Sequence, residues 1–199
     1  MVFVQLVRFP HIASQQQCIT SVIGMSWDSL ARPAVRDARV WERTSSLDVL
    51  GWCSPKTVDL YRYWDERRGV QPMPRRADID PVDMRAWLAR ISLIDVGAGG
   101  DSFRYRLVGT EVAELRGFDP TGRSVESVWP AQDAEIVLAA YRQVVAQKSP
   151  VFCHPAQRWH WDQEPAVGVM LLPLSTDGEK VDQILGYLSD GVGMLGLVM

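Results

Sequence analysis

The chain has 199 residues, 47% of them hydrophobic and 23% charged. That is the balance of a soluble globular protein, with chain enough for one ordinary domain plus extra sequence. A formal net charge of -3 offers no general attraction to nucleic acid and leaves room only for a local basic patch, and three scattered cysteines (Cys18, Cys53 and Cys153), odd in number and without metal-ligand spacing, fit free thiols in a reduced compartment best.

In chain order, Met1 to Val7 is apolar, but Arg8 and Pro10 interrupt it before a secretory pattern develops. No stretch reaches the roughly 18 consecutive apolar residues of a membrane span. Free thiols and no export signal predict a cytoplasmic protein. Residues 1–53 have no sustained period and read as a poorly ordered or loosely attached extension. An alternative is an interaction arm, with Ile19, Ile23, Trp27 and Leu30 at roughly helical spacing.

Ser54-Pro55 opens the first clear helix, because serine caps an orphan N–H and proline at the first helical position forfeits no needed donor. Thr57, Leu60, Tyr61 and Trp64 share one face, and Gly69 supplies the stop. That aromatic face must be covered either by the chain's own sheet or by a second copy; a homodimer through Leu60, Tyr61 and Trp64 is the expectation. Asp80-Pro81 predicts a second, short helix with Met84, Trp87 and Leu88 inward. Ile91 to Val96 and Phe103 to Val108 read as a hairpin joined by the glycine-rich turn from Gly97. In its second strand Phe103, Tyr105 and Leu107 alternate with Arg104 and Arg106.

After Gly109 come a short helix with Val112, Ala113 and Leu115, a turn from Gly117 to Gly122, and an apolar stretch ending at Trp129-Pro130. Asp133 opens a longer helix whose apolar stripe runs from Ile136 to Val145 and which Ser149-Pro150 ends. Val151 to Trp161, Ala166 to Pro173 and Gln183 to Ser189 read as three more strands, and Gly191 to Met199 as a short tail. Two strands, helices, then three strands predict an α+β domain over residues 54–190, with helices packed on one face of an antiparallel five-stranded sheet and a flanking N-terminal helix.

The runs Gly109-Thr110-Glu111, Leu115-Arg116-Gly117-Phe118-Asp119-Pro120 and Thr121-Gly122-Arg123-Ser124 resemble the centre of a PAS domain. The blocks Leu60 to Trp64, Ala77 to Pro81, Phe103 to Thr110, Leu172 to Ser175 and Ile184 to Gly186 are similar to the fifth PAS subfamily, a bacterial, stand-alone group. The resemblance covers about residues 55–190. It implies a non-catalytic sensory or protein-interaction module for signal transduction, either binding a small ligand or a signalling protein, or serving as a purely structural dimerisation module with a filled core. A pocket between sheet and helices is expected, with Phe103, Tyr105, Leu115, Phe118, Trp129 and Tyr141 as candidate lining residues. Flavin-photosensing relatives use an Asn-Cys-Arg motif and haem-binding ones a histidine on the long helix. The chain has neither, so no cofactor is carried over.

His154 and His160 lie about 20 Å apart on an ideal strand, which predicts separate rim histidines rather than a shared metal site. The arginines from Arg62 to Arg76 interleave with Asp65, Glu66, Asp78 and Asp80, which predicts a solvated face. Trp64, Trp87 and Trp129 are expected in the core, whereas Trp159 and Trp161 on one strand face are open to either packing or a partner. No Gly-x-Ser-x-Gly elbow, phosphate-binding loop or dinucleotide fingerprint occurs.

Overall fold

The computed structural model describes residues 41–155 and 168–189. The arm residues Ile19 to Leu30, the pair Trp159 and Trp161, His160 and the tail from Gly191 lie outside these residues. Strand β1 spans Trp41–Thr44, and a 3-10 helix follows over Leu47–Trp52, capped by the Ser46 hydroxyl on the Asp48 N–H. Helix α1, Pro55–Arg68, begins and ends on the signals read from sequence. Ser54 Oγ accepts from the Thr57 N–H, Arg67 and Arg68 occupy the last turn, and Gly69 takes a φ of 55° to close it. Strands β2 (Ile91–Val96) and β3 (Phe103–Val108) form the hairpin. Three helices come next: α2 (Thr110–Arg116), α3 (Val125–Val128) and α4 (Ala131–Gln147). Strands β4 (Val151–Pro155), β5 (Val169–Leu174) and β6 (Gln183–Leu188) complete one antiparallel sheet of order β1-β4-β5-β6-β2-β3.

Register fixes which side chains share a face. Val151 opposes Leu171, Ile94 opposes both Ile184 and Tyr105, and Val96 opposes Phe103. By two-residue alternation these residues and Cys153 line one side, here the inner face. Phe152 opposes Met170, which opposes Tyr187, while Leu93 opposes Leu185 and Leu185 opposes Leu172. They line the other side, the outer face. Helix α4 lies on the inner face, where Tyr141 meets Phe103 with ring centroids 5.3 Å apart. Helix α1 lies on the outer face, where the Tyr61 ring is 6.2 Å from that of Phe152 and Trp64 Nε1 donates to the Pro173 carbonyl at 3.0 Å. Met73, Ile79 and Met84 from the segment after α1 are buried in the same continuous core. No described helix is long and apolar enough to cross a membrane.

Three expectations are corrected here. The sheet has six strands rather than five, because β1 pairs with β4 from Trp41 opposite Pro155 to Thr44 opposite Phe152. Residues 41–53 are therefore not a loose extension: they cover an edge that would leave a row of unpaired backbone groups, and Val49 is buried in the core. The second helix is absent as a helix. Met84 N donates to Asp80 O, but Trp87 N then donates to Met84 O and Arg90 N to Trp87 O, so tight turns replace a regular ladder. Those turns put Met84 inside and bring Trp87 Nε1 to the Lys56 carbonyl at 3.0 Å.

Candidate ligand site

The inner face carries Phe103 and Tyr105 inward because β3 alternates; Arg104 and Arg106 turn away, to the Gly122 carbonyl and to Asp95. The Tyr105 backbone is fixed on both sides by the turn that follows α2. Its N–H donates to Arg123 O at 3.0 Å, and its carbonyl accepts from Gly122 N at 2.6 Å. That turn is shaped by Asp119, whose carboxylate accepts from both the N–H and the hydroxyl of Thr121; these bonds hold it below the usual carboxylate range. Gly122, at φ 82°, takes a conformation that disfavours any side chain.

Around the Tyr105 phenol the helices place three more groups. Trp129, at the end of α3, donates its Nε1–H to Tyr105 Oη at 2.9 Å. Arg116, the last residue of α2, reaches the same oxygen from Nη2 at 3.4 Å and lays its guanidinium 4.1 Å from the Trp129 ring centroid. Tyr141 from α4 closes the far side. Its hydroxyl is held well above the ordinary tyrosine value, first by burial and then by the neighbouring Tyr105 phenol. Beyond it, Cys153 is buried on the same face, and desolvation pushes its thiol up to about 12. Arg116 Nε is itself buried and has no hydrogen-bond partner among the described residues.

Of the six side chains expected to line a pocket, Phe103, Tyr105, Trp129 and Tyr141 come together and are buried. Leu115 and Phe118 do not. They are 38% and 41% exposed, and Phe118 lies under the Arg123 guanidinium on the outside. Arg116 takes the position that sequence assigned to Leu115. One turn after the buried Val112, it shares that residue's helical stripe, a spacing signal outweighed by the apolar character of its neighbour. The expected dimer face is also accounted for: Leu60, Tyr61 and Trp64 are buried against the chain's own sheet, so that face is spent within one molecule.

Elsewhere an open cleft of about 400 Å³ lies between the end of α1 and the β5–β6 turn, lined by Arg67, Arg68, Arg75, Asp78, Asp177 and Glu179 among others. Several of these charges are met by side chains beside the cleft or by the backbone. Arg67 pairs with Asp83 at 2.7 Å and Arg68 with Asp65 at 2.6 Å. Asp177 accepts from two backbone N–H groups and Ser175, which draws its carboxyl down to about 2. Among the described residues no group of three His, Cys, Asp or Glu side chains is placed to hold a metal.

An antiparallel sheet with helices α2 to α4 gathered over one face and aromatic side chains between them defines an α+β domain. A family described as PAS domain matches residues 53–189, and the chain belongs to that family. No curated protein and no solved structure matches the chain.

Proposed function

We propose that the chain is a non-catalytic sensory module that takes a small ligand between the inner sheet face and helices α2 to α4, and passes that event to a signalling partner. The observation that carries this reading is the polar group formed by the buried Tyr105, Trp129 and Tyr141 with the half-buried Arg116. A core that only has to hold a fold is most stable when apolar, because each buried polar group must recover its lost hydration through partners. Placing an indole N–H and two phenols inside, with a half-buried guanidinium beside them, supplies directional recognition of the kind small-molecule sites use.

Native mass spectrometry tests this. The protein is incubated with the small-molecule fraction of the cells that make it, desalted and sprayed under non-denaturing conditions. A discrete added mass that disappears on denaturation, and is reduced by Tyr105→Phe, is expected. A bare chain or bare assembly under all conditions contradicts the reading and supports a filled-core interaction module instead.

A further inference from the structure

We infer that the ligand of the inner site carries a carboxylate, received by the free edge of Arg116. This rests on the ligand-binding reading above and names the chemistry it requires. The Arg116 guanidinium has five N–H donors in a rigid fork. Nη2 makes one long bond to Tyr105, while the buried Nε makes none among the described residues. None of the ion pairs among the described residues includes Arg116.

Several other arginines are answered by carboxylates: Arg67 by Asp83, Arg68 by Asp65, Arg142 by Glu135. Among the described residues no carboxylate answers Arg116; Trp129 lies under its face and Tyr105 beside it. Stacking on the indole fixes the plane of the guanidinium and leaves its edge as the direction of approach.

The surrounding groups are rich in donors. Trp129 Nε1 and Arg116 Nη2 both point at the one Tyr105 oxygen, and the Tyr141 hydroxyl adjoins the same phenol. A carboxylate satisfies this arrangement, with one oxygen toward the guanidinium edge and a second able to take a phenol or guanidinium hydrogen. The charge count selects a carboxylate over a phosphate. One guanidinium matches one negative charge, and among the described residues no lysine or second arginine side chain contacts the cluster to balance a dianion.

Isothermal titration and thermal unfolding with acetate, succinate and benzoate, each against its neutral amide, test the inference on the full chain. At least one carboxylate is expected to raise the melting temperature in a concentration-dependent way while its amide does not. Arg116→Gln should weaken that binding about tenfold to a hundredfold, the value of a charge-assisted contact, and Arg116→Lys should weaken it too because the fork is lost. Arg123→Gln, on the outer side, should leave it unchanged. Melting of the unliganded variants shows that each is folded. No carboxylate-specific shift overturns the inference, as does binding that survives both Arg116 substitutions. If native mass spectrometry retains a neutral or cationic molecule instead, the carboxylate assignment falls while the sensory reading stands.

Discussion

Tyr105 is the residue on which the inner site turns, since its oxygen accepts from two donors on two different helices. Tyr105→Phe preserves the ring and removes that acceptor, leaving the Trp129 N–H buried and unpaired at a cost of about 1–3 kcal/mol. Chemical denaturation should show that loss with little change in the denaturant slope; an unchanged midpoint would mean that water already serves the indole. Cys153 gives a second residue-level test. Burial raises its thiol from an ordinary 9.0 to about 12 in the folded chain, against a smaller lowering by Arg43. A folded value above the unfolded one favours the protonated, native form, so this contribution is complete below pH 9.0 and is lost as pH climbs toward 12. The buried Tyr141 acts in the same direction. Stability measured from pH 8 upward should therefore fall, less steeply in Cys153→Ala, and alkylation at pH 8 mapped by mass spectrometry should spare Cys153 while the chain is folded. Rapid modification there would show the site open to solvent.

Among the elements, α1 shows how a face that looked free became core. Trp64 is 2% exposed, tied to the Pro173 carbonyl and 6.0 Å from the Tyr61 ring. Trp64→Ala should then destabilise the single chain by roughly 3–5 kcal/mol, with any change in sedimentation following unfolding rather than preceding it. A variant that melts like wild type but dissociates would return this face to an intermolecular role. Strand β1 makes the complementary prediction. A chain starting at residue 54 loses β1, Val49 and the bond from Arg43 to the Ile136 carbonyl, and should melt lower and aggregate more readily than one starting at residue 41. Equal melting would show β1 to be dispensable. The ends of α1, the β2–β3 hairpin and the alternation that turns Phe103 and Tyr105 inward were legible because caps, turn residues and period are local signals. Strand β1 was not: four residues carry little pattern, and their partner is β4, far along the chain. Leu115 and Phe118 misled because apolar character at a helix end and in a turn does not set direction, and Arg116 was missed because a charged residue is inward only when tertiary structure gives it rings to lie on.

At the scale of the whole molecule, the sheet is covered on both sides by different parts of the chain. The outer layer is α1 with the segment through Met84, and the inner layer is α2 to α4. The first is mainly apolar, with the Thr57–Ser189 and Trp64–Pro173 hydrogen bonds inside it; the second contains the buried phenols of Tyr105 and Tyr141 with the half-buried Arg116 beside them. A signal received by this domain is expected to begin in the inner layer, with the outer layer unchanged at the moment of binding. Hydrogen–deuterium exchange resolves the two layers in one experiment, comparing the protein loaded from its cells' small-molecule fraction with the same protein stripped by unfolding and refolding. The account predicts slower exchange in β3, α2 and α3, centred on residues 103–129, with α1 and the β5–β6 turn unaffected. Protection at the charged cleft near Arg75 and Asp177, or no difference anywhere, would contradict it.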